Sequence, residues 1–156
     1  MRRRNQHGLT LVELILAFTI MTLLTAMAVP LARAKVRRER ERELRWALRE
    51  MRAAIDKYKD LCDAQRLGIE AQKVDTDCYP AKLEMLVEGV KLSGAVDKKI
   101  RFLRRIPKDP MTNTYEWGLR SWQDEPTSTS WGGQNVFDVY TKSPEKAPDG
   151  TPYAEW

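Results

Sequence analysis

From Leu9 to Ala32 the chain reads LTLVELILAFTIMTLLTAMAVPLA, twenty-four residues in which Glu13 is the single charge. At about 1.5 Å of rise per residue, a helix of that length crosses a hydrocarbon core of about 30 Å. The segment is therefore expected to span a membrane. Apolar positions then recur at Leu44, Ala47, Leu48, Met51, Ala54, Ile55, Tyr58, Leu61 and Cys62. This is a 3.6-residue stripe, and the opposite face holds Arg45, Arg49, Arg52, Asp56 and Lys59. Glu41 with Arg45, and Arg52 with Asp56, stand four residues apart and in reach of ion pairing. No glycine falls between Leu9 and Arg66, so one helix of about fifty residues is predicted. Pro30 marks a kink, a locally melted turn or the membrane exit, because proline lacks the N–H and clashes with the preceding turn.

Between the apolar run and the amphipathic stripe lies RAKVRRERERE, polar all round. It reads either as a solvated helical linker or as a surface where Arg37, Arg38, Glu39 and Glu41 exchange salt bridges with other copies. Residues 63–81 contain Gly68, Asp75, Asp77 and Pro80 and read mainly as an irregular loop. A short helix is predicted over Ala81 to Glu88 and ended by Gly89, and residues 90–101 are weakly patterned. Beyond them the alternation of Tyr115, Trp117, Leu119 and Ser121 predicts one strand, and Val136, Phe137, Val139 and Tyr140 a second. So few short strands cannot close a core alone and need the amphipathic helix as cover. The expected class is α+β, a long N-terminal helix packed on a small antiparallel sheet.

Composition sharpens this picture. With 156 residues, 42% apolar and 31% charged, the chain suffices for one modest domain and an appendage. The net charge of +5 is N-terminal: residues 33–60 carry +5 by themselves, while residues 61–156 carry −2. A nucleic-acid surface would have to be the 33–60 segment alone, and no nucleic-acid partner is expected. Cys62 and Cys78 are the only cysteines, with fifteen residues between them. They form a disulfide outside the cytosol or remain two buried thiols. Trp122, Trp131 and Trp156 read either as a binding surface or as rings packed under loops. There is no nucleotide-binding glycine loop and no zinc spacing. The single histidine, His7, lies in the basic leader, which argues against a histidine-dependent catalytic triad. No enzymatic activity is expected.

The leader MRRRNQHG places its small residue, Gly8, before the apolar run, whereas an ordinary secretory signal is cut after it. Cleavage there would leave the membrane helix attached. With GLTLVEL and the acid at Glu13, this arrangement resembles the class III leader of type IV prepilins and type II secretion pseudopilins, on the strength of Gly8, Thr10, Glu13 and Pro30. The blocks YPAKLEMLVEG, FLRRIPKDPMT and WGGQNVFDVYTKSPEKAPDG are also similar to type II secretion pseudopilins, especially the major subunit. The resemblance implies a pilin-like fold, cleavage after Gly8 by a prepilin peptidase and methylation of Leu9, which stands where most of the family has phenylalanine. It divides the chain into a leader (1–8), a membrane or filament-core helix (9–32), its amphipathic continuation (33–62) and a periplasmic globular part (63–156).

The same resemblance implies a homo-oligomeric filament, other pseudopilins and an inner-membrane secretion platform as partners. The work is export through the outer membrane, with a minor type IV pilin of a surface pilus as the alternative and a non-polymerising membrane anchor as a third reading. Thr10, Glu13 and Pro30 are the assembly residues. A carboxylate within a membrane helix costs at least about 2.5 kcal/mol at the centre, so Glu13 should find a partner, which a neighbouring subunit's N-terminal amine would supply. The resemblance places calcium in the last loop, for which Thr141, Glu145, Asp149 and Glu155 offer oxygens, although SPEKAPDGTPYAEW lacks the family's glycine-rich, paired-aspartate pattern. A proline-stiffened loop without metal is the alternative. Nine basic residues after the span against three before it would place the C-terminal side in the cytoplasm. The leader and the cysteine pair favour the opposite orientation, N-terminus inside.

Overall fold

With no glycine to interrupt it, the segment from Leu11 to Asp63 forms a single α-helix, α1, in the computed structural model. The structure describes residues 10–69, 76–94 and 98–156. Pro30 lies inside α1 and the chain is helical on both sides of it, so the melted turn is not seen. The loss of one backbone bond and a local clash are absorbed where the flanking turns keep their own ladders. After α1 come a one-turn helix α2 (Met85–Glu88), strands β1 (Val90–Lys91), β2 (Lys99–Ile100), β3 (Gly118–Arg120) and β4 (Asp138–Tyr140), and a 3-10 turn at Tyr153–Glu155.

By contacts the chain divides into two units, residues 1–39 and 40–156. In the first, the described side chains of α1 are exposed all round. The second is the α+β fold expected from the patterning. The stripe from Leu44 through Ala47, Leu48, Met51, Ala54, Ile55 and Tyr58 to Cys62 is buried. It packs with Leu67, Leu86, Leu103, Trp117, Val136, Val139 and Tyr153, and one helix face thus supplies the long wall of the core.

The antiparallel sheet is two separate ribbons. Pairing of Leu119 with Val139, flanked by Gly118 with Tyr140 and Arg120 with Asp138, joins β3 to β4, as the alternating patterns predicted. Val90 with Ile100 and Lys91 with Lys99 join β1 to β2 in the stretch read as weakly patterned, since two-residue strands leave no alternation to detect. The predicted helix over 81–88 shrinks to 85–88, ended at Gly89 with φ +83° and ψ 156°, an extended positive-φ conformation that is open to glycine. Leu67, in the region read as irregular loop, is fully buried and bridges to Leu92.

Two arginines lock these parts together. Arg52 on α1 does not pair with Asp56 but donates from Nε to Asp138 at 2.7 Å and from Nη2 to the Trp156 carbonyl at 2.7 Å. Arg120, only 5% exposed, donates to Asp138 at 3.2 Å and to the Ser128 and Ala154 carbonyls. Its guanidinium lies over the Tyr140 ring at 4.1 Å. Tyr140 in turn covers Gly118, where an added Cβ would clash with the ring.

Cys62, near the end of α1, and Cys78 are joined by a disulfide with Cα atoms 5.5 Å apart. The bridge holds a segment that also takes the Lys59 ammonium on the Asp77 carbonyl at 2.8 Å and the Val136 N–H on the Pro80 carbonyl at 2.8 Å. Cys62→Ser with Cys78→Ser, or reduction, is expected to lower unfolding stability by about 3 kcal/mol in the loop-entropy account. Urea unfolding of the detergent-solubilised chain with and without dithiothreitol measures it, and an unchanged midpoint would show that the bridge carries no stability.

Candidate functional site

The first turn of α1 is built by its own side chains. Thr10 is the N-cap: the Glu13 N–H donates to its Oγ1 at 3.3 Å, while the Thr10 N–H and hydroxyl donate to Glu13 Oε2 at 3.1 and 3.2 Å. This reciprocal arrangement is a capping box, so within a single chain the Glu13 carboxylate already has partners. A carboxylate in the first turn also faces the positive end of the helix dipole. Gly8 and Leu9, the expected processing residues, lie outside the described residues.

Downstream, Leu11, Val12, Leu14, Ile15, Leu16, Phe18, Ile20, Met21, Leu23 and Leu24 are all exposed. By length and composition this part of α1 can cross a membrane. Its hydroxyls are satisfied internally: Thr19, Thr22 and Thr25 donate to the carbonyls of Leu16, Phe18 and Met21 at 2.7–2.8 Å. The surface offered to the surroundings is accordingly apolar apart from the Glu13 turn.

The four residues expected around calcium are not assembled as one ligand set. Thr141 is fully buried, donates its hydroxyl to Asp109 at 2.6 Å and accepts the Ser143 N–H. Asp149 is exposed, and the Thr151 hydroxyl and N–H donate to its Oδ1. Those bonds hold its carboxyl below the usual range, the side-chain bond contributing most. Glu145 and Glu155 are exposed on either side of the turn. Among the described residues no group of three His, Cys, Asp or Glu stands close enough to hold a metal ion.

The three tryptophans divide. Trp156 packs edge-on against Tyr153 under the Arg45 guanidinium, and Trp131 donates its indole N–H to the Asn135 carbonyl at 2.8 Å. Trp122, 57% exposed, joins Tyr79 and Phe137 with ring centroids 4.8–6.1 Å apart. Nothing in the periodicity links residues 79, 122 and 137, because the cluster is made by three loops meeting. The loop behind it is pinned by Asp124, whose Oδ2 accepts the Ser121 and Gly132 N–H groups at 2.7 and 3.0 Å. Those two backbone bonds, Ser121 first, hold the Asp124 carboxyl below its ordinary value of 3.8.

Comparison with known proteins points the same way as the leader. The prokaryotic N-terminal methylation motif matches residues 3–29. The type II secretion system core protein G of Pseudomonas aeruginosa is 27% identical over 146 residues, covering 90% of this chain and 85% of that protein. No solved structure matches. The chain thus carries a prokaryotic methylation motif at its N-terminus and is similar along nine-tenths of its length to a type II secretion core protein.

The loop carboxylates lend themselves to two measurements. A depressed folded-state value contributes stability that is present above the unfolded value and lost as pH falls through the folded one. The stability advantage of the native chain over Asp124→Asn should therefore be constant above pH 5 and shrink below about pH 4. Parallel thermal-melting curves from pH 7 to pH 3 test it, and a gap that persists into acid would assign the difference to something other than the Asp124 charge. Asp149→Ala should lower the melting temperature equally in calcium and in chelator, since Thr151 is the partner lost. An added loss seen only in calcium would show that this loop also holds the ion.

Proposed function

Given a methylation-motif leader on a pseudopilin-like chain, we propose that this protein is a pseudopilin subunit. It is cut after Gly8 by a prepilin peptidase, methylated on Leu9 and polymerised through α1 into a periplasmic filament of a type II secretion system. The observation that carries the reading is a membrane-length helix, apolar and exposed on every described face except at one carboxylate. A lone anchor needs only the apolar length. A subunit that must stack in register needs a charge as well, and Glu13 supplies it one turn from the expected new terminus.

In the free chain the Thr10 cap satisfies Glu13. In the filament a neighbour's positive N-terminal amine would compensate the carboxylate, and the stagger between copies would be set by that pair. The reading places the N-terminus in the cytoplasm and residues beyond the span in the periplasm, where the Cys62–Cys78 disulfide is stable. Other pseudopilins and the inner-membrane platform are its partners. Identity along the chain to a secretion protein favours this over a minor pilin of a surface pilus.

Glu13→Gln tests the charge separately from the cap, because glutamine also closes a capping box. Breaking one side of a buried ion pair costs about 3–5 kcal/mol. Glu13→Gln and Glu13→Ala should therefore both insert normally yet yield filaments reduced by more than about tenfold at matched expression. Sheared-filament yield against membrane-fraction level measures this. Normal assembly by Glu13→Gln would remove the charge pair from the account, and a chain recovered with Met1 intact beside an active peptidase would remove the pseudopilin reading.

A further inference from the structure

The Tyr79, Trp122 and Phe137 cluster is an exposed aromatic surface with an acidic rim. Trp122 is 57% and Phe137 37% exposed, and the Trp122 indole N–H makes no hydrogen bond among the described residues, unlike those of Trp117, Trp131 and Trp156. Three carboxylates, Asp56, Asp63 and Asp77, lie within electrostatic reach of Tyr79. Lys59 is the cation on the patch, its ammonium 5.0 Å over the Tyr79 ring and bonded to Asp63 at 3.1 Å. Burial raises the Tyr79 hydroxyl first, and the three carboxylates raise it further against Lys59. Among the described residues the surface is thus apolar, with three carboxylates to one cation.

Such a surface takes a flat cation on an apolar stem, which describes arginine. This chain uses the contact internally: Arg120 lies over Tyr140 and Arg45 over Trp156, each at 4.1 Å. It also carries an exposed basic run, Arg33, Lys35, Arg38 and Arg40, on α1. Arg40 and Asp63 are twenty-three residues apart on one helix, about 35 Å at 1.5 Å per residue. Arg40 therefore cannot reach the acidic aromatic patch of its own copy along the helix. It can reach that of a second copy displaced along the axis.

We propose that the basic run of α1 in one copy docks on the Tyr79, Trp122 and Phe137 patch of another. The contact is heterologous, joining different surfaces of the two copies, and such contacts propagate into open helical arrays unless the rotation closes a ring. It rests on the polymerisation reading above and gives that reading a contact outside the apolar segment. It also assigns a role to basic residues that are costly for export orientation.

The test places p-benzoylphenylalanine in place of Trp122 in the full chain, in a host with peptidase and secretion machinery, and irradiates the assembled filaments. A dimer whose cross-linked peptide contains residues 33–42 is expected. A dimer joined elsewhere, capture of a secreted protein alone, or no cross-link in abundant filaments would each overturn the contact while leaving polymerisation standing. Absence of filaments from the unmodified chain in the same host would overturn both. As a second measurement, Asp56→Arg and Arg40→Glu should each cut filament yield by more than about tenfold, given charge-pair couplings of at least about 1.5 kcal/mol at interfaces. Their combination should return it to within about threefold of the parent. Additive losses in the double variant would overturn the pairing even if the photoreactive chain fails to accumulate.

Discussion

The carboxylate of Asp138, held between Arg52 and Arg120, is the interaction on which the second unit depends. One arginine comes from α1, the other from β3, and the acid from β4. The two guanidinium groups continue past it to the carbonyls of Ser128, Val139, Ala154 and Trp156. Helix, ribbon, long loop and final turn therefore meet at one charge. Strands of two and three residues have too few ladder bonds to hold their own orientation. A partly buried carboxylate shared by two arginines supplies the missing constraint, and removing one member would strand the rest.

The parts of this molecule written in local periodicity are legible from the residue order. The stripe from Leu44 to Cys62 is buried where its spacing placed it, apart from half-buried Leu61, the glycine-free run is one helix, and the alternating strands pair with each other. The parts that are not legible depend on residues distant in sequence. Arg52 stands opposite Asp56 along the helix, yet its partner is 86 positions away, because a partly buried carboxylate with a second arginine offers more than an exposed one a turn off. The β1 and β2 ribbon is too short to alternate. At the candidate site, the Thr10 and Glu13 relation is local and readable as a capping box, whereas Tyr79, Trp122 and Phe137 meet only through tertiary structure.

Charge is distributed along α1 in a way that a monomer does not explain. A basic run just after a membrane-length segment opposes translocation of the residues beyond it, and its interleaved glutamates do little to relieve that. If a second copy reads the run, the orientation cost is matched by a gain on assembly. The acidic aromatic patch then sits where the same helix has turned from basic to acidic composition.

Thr19, Thr22 and Thr25 of the apolar stretch donate to their own helix. A helix that keeps its polar hydrogens to itself presents the same face to acyl chains and to neighbouring protein, so moving it from one to the other neither breaks nor makes a bond at those positions. Solvation is then nearly blind to the transfer for that stretch. On the proposed polymerisation, the work of drawing a copy out of a bilayer would fall on the single carboxylate and on whatever grips the polar part of the chain, with the direction of the passage set from outside the helix.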